Sequence, residues 1–146
     1  MKNFIIGITG TYCSGKNFVS RLLEKRGLPA LDIDKLGHEA IENEKESILK
    51  RFGNDLAGSD RTIDRKKLGE RVFGRPRELA ALENIVHPAV LRMMNEWIAV
   101  REGKPCVINA ALLHRIPFEN GLKAIILVRA PVLTRILRAK RRDRRS

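Results

Sequence analysis

The feature that most restricts what this chain can fold into is a buried-strand pattern running straight into a glycine-bracketed turn and then a helix. Phe4-Ile5-Ile6-Gly7-Ile8-Thr9 is nearly continuous in apolar character and rich in β-branched residues, as a strand covered on both faces must be. It passes into Gly10-Thr11-Tyr12-Cys13-Ser14-Gly15-Lys16. A helical pattern follows, with Phe18, Val19, Leu22 and Leu23 assigned to one side and Arg21, Glu24 and Lys25 to the other. Gly27 is its natural stop.

In that setting, Gly10-x-x-x-x-Gly15-Lys16 is the Walker A phosphate-binding pattern. Backbone amides around Cys13, Ser14, Gly15 and Lys16 can converge on phosphate oxygens, and the helix start adds its positive dipole end. The glycines let the backbone approach the phosphates closely, and Lys16 can reach the β- and γ-phosphates. Gly10, Cys13, Ser14, Gly15, Lys16, Asn17 and Phe18 are therefore the candidate nucleotide-binding residues, with Lys16 also a candidate catalytic group. The bland alternative is an ordinary glycine-rich turn. One position departs from the pattern: the residue after Lys16 is Asn17, where a Ser or Thr hydroxyl would bind Mg²⁺. A carboxamide oxygen is still an oxygen ligand, but on a longer arm, and Mg²⁺ demands near-ideal octahedral geometry at about 2.0–2.1 Å. Asn17 is thus a candidate metal ligand of altered geometry, with water to fill the gap.

Beyond the helix, Leu31-Asp32-Ile33-Asp34 after Pro29 reads as a short second strand. Residues 35–101 show amphipathic helices and no strand, with breaks at Gly53, Gly58-Ser59, Gly74-Arg75-Pro76 and His87-Pro88. The last of these helices is expected to start near Pro88 and to turn Val90, Met93, Met94, Trp97 and Val100 toward a core. Strand character returns at Cys106-Val107-Ile108-Asn109 and Ala124-Ile125-Ile126-Leu127-Val128, and a final helix begins near Val132. Strands separated by helical connections imply a parallel sheet covered on both faces. The expected fold is α/β, a three-layer α/β/α P-loop NTPase domain spanning residues 1–146, with a helical substrate-side insertion at about 35–101.

A hydrophobic fraction of 43% and a charged fraction of 32% over 146 residues suit one soluble globular domain. The longest apolar runs are far shorter than a membrane span, and Met1-Lys2-Asn3 leads directly into the first strand without a signal-peptide core. Two cysteines, Cys13 and Cys106, have neither metal-type spacing nor a disulfide framework, which suits a reducing cytoplasm. The net charge of +12 includes residues 138–146, with six positive charges against one negative, and falls to +7 without them. The basic remainder fits an anionic partner such as a polyphosphate. A nucleic-acid-binding module rests on charge alone, since aromatics are 5% and no stacking pattern is present.

Further stretches resemble the dephospho-CoA kinases. Leu28-Pro29-Ala30-Leu31-Asp32-Ile33-Asp34 is similar to that family's strand ending in Asp-x-Asp. Phe52-Gly53, Ile63-Asp64-Arg65-Lys66-Lys67-Leu68, Val72-Phe73 and Leu82-Glu83-Asn84-Ile85-Val86-His87-Pro88-Ala89-Val90 follow in the family's order. The resemblance runs from residue 5 to about residue 143. It implies ATP-dependent phosphorylation of the ribose 3′-hydroxyl of dephospho-CoA, giving CoA and ADP, in the last step of coenzyme A biosynthesis. It implies ATP and Mg²⁺ as cofactors and a small-molecule acceptor, with no membrane or nucleic-acid partner. By the same analogy Asp34 would accept the hydroxyl proton or hold the hydroxyl in line, and Asp32 would assist the metal. Both aspartates could instead simply cap the following helix. Arg65 and His87 would contact the substrate, though Arg65 could equally pair with Glu70 and His87 mark a helix junction. His38 and His114 read as structural.

The chain also departs from that family. Ala111-Leu112-Leu113-His114-Arg115 stands where the family carries Pro-Leu-Leu, one residue, then Glu. Arg138-Ala139-Lys140-Arg141-Arg142-Asp143 resembles the helix end where the family's lid begins, with Arg142 the first ATP-contacting arginine. The lid and a further strand have no counterpart in this sequence, with Arg142, Arg144 and Arg145 as partial substitutes. That implies an exposed sheet edge and slowed transfer, and leaves a weak or inactive nucleotide-binding relative as the alternative.

Overall fold

β1 (Phe4–Gly10) forms where the apolar run predicts it, and Ile5 and Ile8 on it are buried. The computed structural model of the chain describes residues 4–101, 103–118 and 121–144. It divides into two compact units, Met1–Asp34 with Trp97–Ser146, and Lys35–Glu96. No helix among the described residues is long and apolar enough to cross a membrane.

In the first unit, β2 (Ala30–Asp32), β3 (Pro105–Asn109) and β4 (Ala124–Val128) join β1 in a four-stranded parallel sheet of order β2-β3-β1-β4. This is an α/β sheet of the P-loop NTPase type, as the sequence predicts. β3 is its most enclosed strand: Cys106, Val107 and Ile108 are all fully buried, and burial pushes the Cys106 thiol up from its ordinary range. The register puts Ile8, Asp32 and Asn109 on one row across three strands. β1 is thus flanked by β3 and β4, and the carboxyl ends of such strands form the crevice where open α/β sheets bind ligands.

α1 (Lys16–Lys25) packs on β1, β2 and β3, but not by the side the sequence assigns. Phe18 and Leu22 are exposed, whereas Ser20 is buried and Val19 and Leu23 are half-buried. The stripe Lys16, Val19, Ser20, Leu23 faces the strands because the helix starts directly at the loop and docks close to the sheet. A short side chain fits best at that approach. β4 lies at the sheet edge with Ile125 and Leu127 exposed, and α6 (Val132–Asp143) buries none of its side chains. Coverage of this edge is therefore less complete than a parallel sheet predicts.

In the second unit, α2 (Ile33–Asn43), α3 (Lys45–Phe52), a 3₁₀ turn (Asn54–Leu56), α4 (Arg65–Val72) and much of α5 (Pro76–Ala99) form a helical body. Ile48, Phe52, Leu56, Ile63, Leu68 and Val72 make its core, with Leu82, Ile85 and Val86 of α5 packed against them. Full burial stabilises such side chains by about 1.5–3 kcal/mol each. Helix boundaries follow the chemistry. Asp64 accepts hydrogen bonds from the Lys66 and Lys67 amides at 3.1 Å and so caps α4. The sequence pattern breaks correctly at Gly53 and at Gly74-Arg75-Pro76, where α3 ends and α5 begins.

The break expected at His87-Pro88 does not occur: α5 continues through Pro88. Proline there removes one backbone donor and crowds the preceding turn, but apolar contacts on both sides, with Ile85 and Val86 before it and Ala89 and Met94 after it, hold the helix. Val100, expected in the core, is 79% exposed just beyond the helix end. Because Pro88 itself is exposed, Pro88→Ala restores a helix hydrogen bond without losing packing. An interior proline costs about 3 kcal/mol, offset in part by the entropy it removes from the unfolded chain, about 1 kcal/mol. The expected net stabilisation is about 2 kcal/mol, read as a higher urea midpoint at unchanged slope. An unchanged or lower midpoint would contradict it.

Candidate functional site

The turn after β1 is shaped by two left-handed residues, Cys13 at φ 58° and Gly15 at φ 100°. Such alternation turns successive amides toward one concavity suited to anions. Gly10 is required by crowding, since a Cβ there would meet Ser14 Oγ and the Val128 carbonyl at 2.5 Å. The Ser14 amide, expected to face phosphate, instead donates to the Thr11 carbonyl at 3.0 Å and closes the turn. Ser14 offers its hydroxyl in exchange: the oxygen is buried and has no hydrogen-bond partner among the described residues. A buried hydroxyl in that condition is costly unless a ligand satisfies it. The Phe18 amide donates to the Gly15 carbonyl at 3.0 Å, and its ring is exposed.

Lys16 lies at the first position of α1, its side chain only 13% exposed. Its ammonium donates to Asp34 Oδ2 at 3.0 Å, Asn17 Oδ1 at 3.3 Å and Asn109 Oδ1 at 3.4 Å. The structure thus brings the candidate residues Lys16, Asn17 and Asp34 together and adds Asn109. Asp34 is not at a strand end as expected. β2 stops at Asp32, and Asp34 sits in the first turn of α2, where Asp32 Oδ1 accepts the Asp34 amide at 3.0 Å. That hydrogen bond is a helix cap, so the strand gives way to helix two residues early.

α6 supplies three arginines on one stripe. Arg135 Nε donates to the Tyr12 carbonyl at 3.0 Å, and Arg138 donates to the Cys13 and Ser14 carbonyls at 3.2 and 3.3 Å. Arg142 lies over the Tyr12 ring at 5.4 Å from its centroid. Of these, the resemblance implies Arg142 alone; Arg135 and Arg138 are additions from the structure, although the spacing 135, 138, 142 places all three on one helix face. Arg145 lies outside the described residues. Asn109 is a further addition from the structure; its signal in the sequence is a polar residue closing an apolar strand at its carboxyl end.

In the helical unit, Arg65 opens α4 and lies in the wall of a cavity of about 750 Å³ together with His38, Glu42 and Lys66. Glu42 also accepts the Ile63 amide at 2.9 Å, tying α2 to that wall. His87 stands exposed on α5. In the first unit, His114 and Arg115 are exposed in the turn Leu113–Arg115.

The donor set tests poorly as a direct Mg²⁺ site. Asn17 Oδ1 already accepts from the Lys16 ammonium and, at 2.9 Å, from Asn109 Nδ2. An oxygen facing a cation and an amide donor is a poor ligand for a second cation. Asp32, the other expected ligand, has an oxygen committed to the α2 cap. Among the described residues no cluster of three His, Cys, Asp or Glu side chains could hold a metal. Asn17, the residue after the lysine, therefore does not fit direct ligation of the ion.

The chain is similar in sequence and fold to known proteins. A family model described as dephospho-CoA kinase matches residues 4–146. The dephospho-CoA kinase of Thermus thermophilus is 38% identical over 139 residues, 95% of this chain and 68% of the relative. That of Borreliella burgdorferi is 35% identical over 127 residues, covering 86% of this chain and 62% of the relative. The chain thus spans about two thirds of these relatives. Among solved structures, TT1252 from Thermus thermophilus superposes with a TM-score of 0.86 at 36% identity, over 100% of this chain and 75% of that one. The dephospho-CoA kinase of Campylobacter jejuni gives 0.72 at 25% identity, over 99% and 74%. With the match spanning nearly every described residue, from the phosphate loop through α6, the chain belongs to the dephospho-CoA kinase family, enzymes of ATP-dependent phosphorylation of dephospho-CoA in coenzyme A biosynthesis.

Proposed function

We propose that this chain transfers the γ-phosphoryl group of ATP to the ribose 3′-hydroxyl of dephospho-CoA, releasing ADP and CoA at the loop between β1 and α1. The observation that carries this reading is the 3.0 Å contact of Lys16 Nζ with Asp34 Oδ2 beside the left-handed loop. A phosphate-seeking cation and a carboxylate meet there at the sheet's carboxyl edge. When the triphosphate enters, Lys16 exchanges Asp34 for β- and γ-phosphate oxygens. Asp34, at 56% side-chain exposure, is then available to the acceptor. The hydroxyl oxygen attacks phosphorus, the bond to ADP breaks, and the hydroxyl proton passes to the Asp34 carboxylate. In a loose phosphoryl transition state, positioning counts as much as proton removal.

The remaining assignments follow from chemistry. Gly10, Cys13 and Gly15 let the loop backbone approach phosphate, and the Ser14 hydroxyl finds in it the acceptor it lacks. Phe18 keeps only its place at the rim. Arg142, with Arg138 behind it, supplies positive charge to the transferring group. Arg65 takes an anionic group of the acceptor in the cavity of the helical unit, whose volume suits a nucleotide-sized ligand, and His87 is assigned to the same acceptor. Where Mg²⁺ accompanies ATP it would supply charge neutralisation at the phosphates, and Asn17, engaged with Lys16 and Asn109, would not ligate it directly. The compartment assigned to this reaction is the cytoplasm.

Coupled detection of ADP release tests the proposal. Release should require dephospho-CoA and stay at background with adenosine. Equal rates with and without dephospho-CoA would make the chain an ATPase rather than a kinase. A second reading, a nucleotide binder with slow turnover, is favoured by the amide occupying the residue after Lys16. Nucleotide affinity without acceptor-dependent release would select it.

A further inference from the structure

Asn109 is the largest unexplained polar investment in the sheet. It closes a strand of fully buried apolar residues and is itself only 1% exposed. Its carboxamide is spent entirely at the phosphate loop: Nδ2 donates to Asn17 Oδ1 at 2.9 Å, and Oδ1 accepts from Lys16 Nζ at 3.4 Å. Lys16 in turn donates to Asn17 Oδ1 at 3.3 Å. The three side chains therefore close a ring of hydrogen bonds, anchored in the core through β3 and in the loop through α1. In phosphate-loop enzymes the metal is held by a hydroxyl after the lysine and by an aspartate on another strand. Here a neutral amide stands after the lysine, and a second neutral amide, at the end of the strand beside β1, is bonded to it.

We propose that Asn109 is a positioning residue whose buried carboxamide locks Asn17 and Lys16 in place, and that this amide clamp substitutes for protein–metal ligation, so that the loop's hold on nucleotide phosphates is independent of Mg²⁺. The chemistry is consistent at each atom. The Asn17 oxygen points at two donors and is unavailable to a cation. The Lys16 ammonium is oriented by the Asn109 oxygen, which carries no charge and so does not compete with phosphate as a carboxylate would. A buried amide satisfied on both ends rigidifies its neighbours, and pre-set donors bind an anion without the cost of ordering them.

The inference rests on nucleotide binding at this loop, and calorimetric titration with a non-hydrolysable ATP analogue tests it, once in saturating Mg²⁺ and once in excess EDTA. For the parent chain the two affinities should agree within about threefold. Asn109→Leu, close in shape but without polar atoms, should lose about tenfold in both conditions. Asn109→Asp places an acid beside the loop and should make binding Mg²⁺-dependent by about tenfold. Because core substitutions can unfold a chain, Asn17→Ala provides an exposed alternative that breaks the same ring from the loop side; it should weaken binding about threefold or more in both conditions. Parent affinity that collapses in EDTA overturns the clamp while leaving the kinase reading intact. So does unchanged affinity in folded Asn109→Leu or in Asn17→Ala, or an Asn109→Asp variant indifferent to Mg²⁺. Absence of nucleotide binding by the parent in either condition overturns the kinase reading and the clamp with it.

Discussion

Asp34→Asn is expected to lower turnover by about 10²–10⁴-fold, the usual contribution of a positioned acid–base group, while leaving ATP affinity within about threefold. The substitution is nearly isosteric, so it removes the charge and little else. Its effect on binding is expected to be small for a reason visible in the site. Asp34 is paired with Lys16 at 3.0 Å, and that pair must open before Lys16 can serve the triphosphate. With one partner 56% exposed, the pair is worth no more than about 1 kcal/mol. Losing it costs the fold little and spares the nucleotide a competitor. Steady-state kinetics with direct ATP titration separates the two effects. Turnover within about threefold of the parent would remove Asp34 from both roles, proton acceptor and hydroxyl holder.

Lys16→Ala is expected to lose nucleotide affinity by about tenfold or more, equivalent to about 1.4 kcal/mol. Lys16 is the side-chain cation fixed at the helix start, and it also completes the ring with Asn17 and Asn109. Its removal deletes a charge-assisted contact to phosphate and loosens the amides that orient the loop. The loss should therefore appear with ADP as well as ATP. The thermal unfolding midpoint should also fall, because the exposed partners Asn17 and Asp34 can turn to water but the buried Asn109 Oδ1 loses its donor, a cost of about 1–3 kcal/mol. Unchanged affinity would reduce the loop to a turn.

Much of this arrangement was legible in the residues themselves. The strand, glycine-bracketed turn and helix between Phe4 and Lys25 are local features, and local features write themselves into sequence. The two aspartates could be identified but not placed. Whether Asp34 ends a strand or begins a helix depends on the Asp32 cap, a side-chain hydrogen bond that competes with β pairing. Pro88 misled because the rule for proline is local, whereas the contacts of Ile85, Val86, Ala89 and Met94 that override it are tertiary. The side of α1 that meets the sheet was set by the closeness of its docking, not by which residues were most apolar. Asn109, Arg135 and Arg138 come from strands and helices far along the chain. Their meeting at the loop depends on the β2-β3-β1-β4 order, which no window of residues contains.

Phosphorus NMR of the reaction mixture tests the central claim most directly. With ATP and dephospho-CoA present, the account predicts that the γ-phosphate signal of ATP declines as a phosphomonoester signal on the ribose 3′-oxygen rises in equal amount, with ADP as the other product. The same mixture with Asp34→Asn should show almost none of that signal over the same time. Growth of inorganic phosphate without a new acceptor phosphomonoester, or an unchanged spectrum from a folded chain that binds ATP, would contradict it.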